Sequence, residues 1–295
     1  MTTQTDVTKR WQVTEAYAGY SIREFLLQAG EFSRQLIKKV RMDGAVFVNG
    51  SQEEMWRPLE TGDAVVIVFP KEEKGSIFPQ QGALPVVFED DDVMVLDKPS
   101  GIPVVPPFDQ KEPSIASYLL FEYEKRGYPC TAHIVTRLDR DTSGLMLIAK
   151  HAYSHSLLTK RLDLISRQYI AIVEGEFQEK EGLIDEPIGR AEDSIIQRMV
   201  SPEGKPSQTQ FYLIKQGEDY SRVRFKLLTG RTHQIRVHMA HRGYPLAGDK
   251  LYGGNIVAGM DGQALHCEQL HFIHPWTKKK MTFTSEPPKL WEDIL

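Results

Sequence analysis

Between positions 137 and 141 the chain sets Arg137, Asp139, Arg140 and Asp141, four charges in five residues, and closes them with Thr142, Ser143 and Gly144. The five residues that follow, Leu145 to Ala149, are all apolar, the mark of a short strand buried on both faces. Charges placed directly before such a strand lie at the edge of a core. There a carboxylate is costly to keep ionised unless a cation answers it. A carboxylate so placed can stabilise or attack an electron-poor carbon. It can equally be half of a salt-bridged turn in which Asp141 bonds its own backbone. Residue types alone favour the turn.

Other clusters invite chemistry and are read as plain structure. His233, His238 and His241, and His266, His271 and His274, lack metal-site spacing. The first group has no Glu of a His-Glu-x-x-His helix, and positions five apart align poorly on a helix face. No metal is expected. Asp90, Asp91 and Asp92 stand between two apolar runs and read as a solvated hairpin turn, because consecutive side chains in a turn point apart. There is no Gly-x-Gly-x-x-Gly and no Walker loop, so no nucleotide cofactor is expected.

At 295 residues the chain is long enough for two domains, and 41% hydrophobic with 26% charged residues is ordinary for a soluble globular protein. No apolar run reaches the roughly 18 residues of a membrane span, and no membrane partner is expected. The polar start carries no signal core. Two cysteines, Cys130 and Cys267, suit a reducing, cytoplasmic setting, and a monomer is the default. The net charge of −4 is unusual for a protein that grips phosphates, so the distribution of cations matters more than their sum.

Residues 20–69 read as a small module after an N-terminal extension, 1–19. Ser21 caps one helix, and a second follows from about Ser33, the basic run Ser33-Arg-Gln-Leu-Ile-Lys-Lys-Val-Arg41, whose cations are Arg34, Lys38, Lys39 and Arg41. Strands at Gly44–Gly50, closing in Asn49-Gly50, and at Thr61–Phe69 complete it. Residues 70–83, charged and punctuated by Gly and Pro, read as a linker. From 84 to 295 the pattern is mostly strands, with helices over Ser114–Arg126, Ala152–Leu162 (Leu157, Leu158 and Leu162 inward) and Thr232–His241. Tyr169 shares a strand face with Ala171 and Val173. Short strands broken by turns suit antiparallel hairpins better than βαβ crossovers. The fold class is α+β, a mixed and largely antiparallel sheet with helices against it.

The stretch Arg137-Leu-Asp-x-x-Thr-Ser-Gly144, followed by its apolar strand, resembles the central motif of the RluA-like pseudouridine synthases. Asp97-Lys-Pro-Ser-Gly101, Arg167–Gly175, Thr229-Gly-Arg-Thr-His-Gln-Ile-Arg-Val-His238, Gly243–Gly253 and Leu265–Pro275 resemble the family's other motifs, in the family's order. The module at 20–69 resembles an S-four-type RNA-binding domain. The resemblance implies an enzyme that isomerises uridine in structured RNA, ribosomal RNA of the large subunit before transfer RNA, without a cofactor.

It further implies catalytic roles for Asp139, for Tyr169 against the uracil ring, its hydroxyl a candidate to take the C5 proton, and for an Arg that pairs with Asp139. Arg236, on the helix beside Val237, is preferred for that pair over Arg231, which stands before the helix start where phosphate is gripped. RNA contacts are expected from Arg137, Arg231, Thr232, His233 and Lys98, with Arg137 filling the space left by a flipped base. The four cations of the basic helix add to them. Asp141 ranks below Asp139. Thr136 stands where the family has His, and the customary His-Pro after Gly101 is missing; both bear on substrate choice. The alternatives are a catalytically silent RNA-binding or ribosome-assembly factor on the same scaffold, and a glycoside hydrolase that releases free base.

Overall fold

A computed structural model describes residues 6–73, 75–107, 112–194 and 196–294. The smaller of its two main sheets has four antiparallel strands in the order Thr8–Gln12, Ala64–Val68, Ala45–Val48, Ser51–Gln52. The helices Ile22–Gln28 and Arg34–Asp43 pack on it through Phe25, Leu26, Ile37 and Val40, all buried. Ser21 caps the first as expected, accepting from the Glu24 N–H, and Ser33 caps the second, accepting from the Leu36 N–H. The Ser21 N–H in turn donates to the Glu24 carboxylate, closing a capping box. Asn49 and Gly50 take φ of 52° and 89°, the left-handed pair that a tight two-residue hairpin requires.

The stretch 1–19, expected to be an extension, is corrected by the pairing of Thr8–Gln12 along the whole of Ala64–Val68. The sheet therefore begins before residue 20. The same strand joins the two halves of the molecule. Trp11 packs edge-on against Trp276, ring centroids 5.1 Å apart, and Tyr153 donates its hydroxyl to the Gly30 carbonyl at 2.7 Å. Lys9 is buried, 2.5 Å from Asp92 and over the Trp276 ring. Asp92 also accepts from Ser154 Oγ at 2.6 Å.

The run Asp90–Asp92 is thus a turn, but not a solvated one. Asp90 caps the backbone N–H groups of Asp92 and Val93, while Asp92 is only 3% exposed. A buried carboxylate persists because Lys9, His151 and Ser154 answer it. The expected linker is also tied down at Glu72. Glu72 accepts from the Thr131 and Ala152 backbones at 3.0 and 2.7 Å and meets His133 at 2.6 Å, which lays the stretch along the larger unit.

The larger sheet runs in the order Glu181–Asp185, Gln208–Lys215, Tyr220–Leu227, Ser166–Glu174, Leu265–Ile273, Ser143–Ala149, Val93–Lys98, Val86–Glu89. Lys280–Thr284 adds to Leu265–Ile273, and His133–Ile134 to Ser143–Ala149. Only the pair Leu265–Ile273 with Ser143–Ala149 is parallel among the described residues, so the sheet is mixed and largely antiparallel. Every residue of Ser143–Ala149 is buried, as an apolar run in the middle of a sheet should be.

Gly144 is obligatory there. Its φ is 105°, and a Cβ would stand 2.5 Å from the Cys267 carbonyl oxygen. The helices Ile115–Lys125, Ala152–Thr159 and Gln234–His241 lie against this sheet. Leu157 and Leu158 are buried, but Leu162 is 52% exposed, because the helix stops at Thr159 and a 3-10 turn carries Leu162 to the surface. No described helix is long and apolar enough to cross a membrane.

Candidate active site

Asp139 sits on the turn that enters Ser143–Ala149, where the Thr142 N–H donates to the Asp139 carbonyl at 3.2 Å. Two neighbours fix that turn from below. Lys98 donates to the carbonyls of Pro99, Ile102 and Arg140 at 2.8, 2.9 and 2.7 Å. Ser100 Oγ donates to the Asp141 carbonyl at 2.8 Å. Lys98 is 0% exposed and all three ammonium protons are spent on carbonyls, so the expected RNA contact is corrected to a strut under the loop. Burial pulls its pKa down to about 8, against the pull of Asp141 and Asp139.

Opposite the turn, the segment 229–236 delivers the cation. Gln234 is buried and ties the segment to the sheet. It accepts from the Arg231 N–H and Thr229 Oγ at 2.9 Å each, and donates to the Gln208 carbonyl and Thr209 Oγ at 2.9 Å each. His238, one turn on, meets Thr209 Oγ and the Glu186 carbonyl. With those two residues committed to the sheet, His233 and Arg236 face the cleft.

Arg236 Nη1 donates to Asp139 Oδ2 at 3.0 Å, and His233 Nε2 stands 3.8 Å from the same oxygen. Oδ1 carries no hydrogen bond among the described residues. The other edge of the guanidinium is held by Asp249, with Nε to Oδ2 at 2.7 Å and Nη2 to Oδ1 at 2.8 Å. This fork-to-fork pair is the geometry in which Arg binds carboxylate most strongly. The guanidinium carbon lies 5.0 Å from the centroid of the Tyr252 ring, within cation–π range. Burial alone would lower the Arg236 pKa, but the bonds and charges of Asp249 and Asp139 outweigh it and the net direction is up. Arg236 therefore stays a cation, and Asp139 faces it across a site only partly open to water.

The cleft beside these groups has a volume of about 1170 Å³, and its walls include Asp139, Tyr169, Arg137, Arg231, Thr232 and His233. Tyr169 is 4% exposed, and burial, opposed by Arg167, raises its pKa above the ordinary phenol range. A phenol so placed keeps its proton, which suits packing against a ring better than taking a proton from one. Arg137 is exposed on the cleft wall and makes no ion pair among the described residues. Arg231 and Thr232 are exposed at the rim, with Arg231 Nε on the Pro206 carbonyl at 3.1 Å.

The choice between the two arginines is decided by distance: Arg236 reaches Asp139. Asp141 is turned toward Gly262, where a Cβ would stand 2.3 Å from its own, and it does not line the cleft. Thr136 is buried and accepts from the Leu147 N–H at 2.8 Å, so it braces the strand. Arg34, Lys38, Lys39 and Arg41 are exposed on their helix.

Asp90, Asp92 and His274 bring ligating atoms within 4.8 Å of one another, yet these atoms already serve Lys9, Ser154 and each other. Asp249 and Tyr252 were not singled out from the sequence. Both lie in the stretch Gly243–Gly253, whose polar residues among small and apolar ones were the available signal.

A family described as RNA pseudouridylate synthase matches residues 92–241. "Uncharacterized RNA pseudouridine synthase YjbO" of Bacillus subtilis is 39% identical over 273 residues, 91% of this chain and 96% of that protein. "Ribosomal large subunit pseudouridine synthase D" of Yersinia pestis is 36% identical over 89% of this chain and 86% of its own length. Among solved structures, "Human RNA Pseudouridylate Synthase Domain Containing 1" superposes with a TM-score of 0.56 at 24% identity, covering 71% of this chain and 86% of that one, a likeness of fold.

Proposed function

The chain belongs to the RNA pseudouridylate synthase family and is an RNA pseudouridine synthase, and from that premise we propose that it isomerises chosen uridines of large-subunit ribosomal RNA, with Asp139 as the reacting carboxylate. The reaction breaks the C1′–N1 bond of uridine, turns the uracil within the pocket, and joins C1′ to C5. N1 gains the proton that C5 gives up, so atoms and electrons balance without a co-reactant. As N1 departs, C1′ becomes electron-poor, and an anion held against it lowers the barrier.

The observation that carries the proposal is the ion pair of Asp139 Oδ2 with Arg236 at 3.0 Å on the wall of an open cleft. The carboxylate there can meet the sugar carbon through its other oxygen. Tyr169 supplies a flat apolar face for the uracil ring. The target nucleotide has to leave its stack to enter, at a cost of about a few kcal/mol, and Arg137 is placed at the wall to fill the gap it leaves. Arg231, Thr232 and His233 line the same entrance and suit the sugar–phosphate chain.

The N-terminal module, of the S-four type, is a second grip through Arg34, Lys38, Lys39 and Arg41, and residues 84–295 hold the chemistry. That grip compensates for a net charge of −4 by gathering cations on one helix. A cytoplasmic monomer acting on ribosomal RNA is part of the same proposal; support for the substrate comes from relatives named for the large ribosomal subunit. The test is a map of pseudouridines in ribosomal and transfer RNA from cells with and without the gene. Loss of sites confined to large-subunit RNA is the expected result. Loss confined to transfer RNA, or no loss, overturns the assignment.

A further inference from the structure

Tyr252 stands behind both groups that face Asp139. Its ring lies against the Arg236 guanidinium, and its hydroxyl oxygen is 2.9 Å from His233 Nδ1. The same oxygen accepts the backbone N–H of Arg198 at 3.0 Å. Two protonation patterns fit those distances. If Nδ1 carried the proton, Tyr252 would accept twice and its own hydroxyl proton would have no acceptor among the described residues. Nε2 would then aim a lone pair at the Asp139 carboxylate, 3.8 Å away. If Nε2 carries the proton, Tyr252 donates to Nδ1, accepts from Arg198, and an N–H dipole faces the anion. Both ends of the imidazole favour the second pattern.

We infer that Tyr252 is a positioning residue that locks His233 in the Nε2–H tautomer, so that His233 and Arg236 aim N–H donors at one oxygen of Asp139 and leave Oδ1 free for the sugar carbon. The inference rests on Asp139 being the reacting carboxylate. The backbone agrees with a role worth some strain: His233 has φ of 58° at the first turn of Gln234–His241, and non-glycine residues in the left-handed region gather at functional sites. Burial first, and Arg236 and Arg198 after it, keep the imidazole neutral against the opposing pull of Asp139 and Asp249, so the tautomer persists at neutral pH.

The tautomer can be read directly. In protein labelled with 15N-histidine, the signal of His233 among the nine histidines is assigned by its loss in His233→Gln. At pH 7.5 its Nδ1 should resonate as an unprotonated nitrogen and its Nε2 as a protonated one. Tyr252→Phe keeps the ring under Arg236 and removes the hydroxyl, and should turn the spectrum into a mixture of tautomers. Single-turnover pseudouridine formation should slow by about ten-fold or more, with RNA affinity held within about two-fold.

A second pair of variants separates this from general loosening. Gln at 233 places an amide N–H near the Nε2 position, whereas Asn reaches only to Nδ1. Asn suits the left-handed backbone better, so a purely structural role favours His233→Asn. The inference expects His233→Gln to be the faster enzyme. A protonated Nδ1 in the parent protein, an unchanged spectrum in Tyr252→Phe, or a faster His233→Asn overturns it. If Asp139→Asn instead retains activity, the assignment of the reacting carboxylate falls, while the tautomer spectrum still reports on Tyr252.

Discussion

Replacing Asp249 by Ala probes whether Arg236 needs a second carboxylate to serve the first. Arg236 is 6% exposed and gives Asp249 two bonds, at 2.7 and 2.8 Å. Breaking a buried pair by removing one partner costs about 3–5 kcal/mol, because the other charge is left without compensation. Here Asp139 still holds one edge of the guanidinium, so the low end, about 3 kcal/mol, applies. At about 2–4 °C per kcal/mol for chains somewhat shorter than this one, the melting temperature should fall by about 6–12 °C.

Activity should fall further than stability alone demands. A guanidinium freed on one edge swings toward Asp139 or away from it, and a displacement near 1 Å can cost about a hundred-fold in rate. The assay is single-turnover pseudouridine formation at saturating enzyme, alongside thermal unfolding. Asp249→Asn keeps the shape but turns an N–H donor toward the guanidinium, and should fall between parent and Ala in both measurements. An Ala variant that melts within about 1 °C of the parent and reacts within about two-fold refutes the claim that Asp249 orients Arg236.

Gly144→Ala should yield protein that is insoluble or melts far below the parent, since its Cβ meets the Cys267 backbone, and soluble expression with a melting curve checks it. Lys9→Met leaves Asp92 without its cation; amide exchange at Thr8–Gln12 should speed up by well over ten-fold, while a short RNA hairpin that needs only the cleft is still modified. Stability should fall as pH drops from about 7 to about 5. Burial holds His151, His238 and His266 below the ordinary histidine pKa near 6.5, so the unfolded chain takes up protons first on acidification. Urea midpoints at the two pH values test the sign, and His151→Gln should flatten the slope.

What could be read beforehand followed from local rules. The serine cap at Ser21, the Asn49-Gly50 hairpin and the buried run Leu145–Ala149 each obey short-range physics that needs no partner. That an arginine faces Asp139 was expected from the resemblance of the motifs, and helix position only ranked Arg236 above Arg231; the two stand 3.0 Å apart.

Most of the misses depend on distant partners. Thr8–Gln12 becomes a strand only because Ala64–Val68 lies more than 50 residues on. Asp92 looked like a turn carboxylate until Lys9, 83 residues earlier, was brought against it. Lys98 was expected to contact RNA, yet two carbonyls of its own following turn and one of the crossing Arg140 loop take all three ammonium protons. Asp249 and Tyr252 sit in a stretch whose small residues announce close packing, but no spacing rule says which polar side chain turns inward. Leu162 kept the helical phase in sequence, and the helix ended three residues too soon for it.

The most direct measurement takes Asp139→Asn protein, confirms that it binds the RNA substrate as tightly as the parent, and counts pseudouridine after many parent half-times. The exchange removes one negative charge at the cleft wall and almost no volume. Pseudouridine absent above background, with RNA affinity intact, is the result expected of a carboxylate that must meet C1′. Product formed at the parent's rate would mean that another group performs the chemistry and that the Asp139–Arg236 pair serves only to hold the fold.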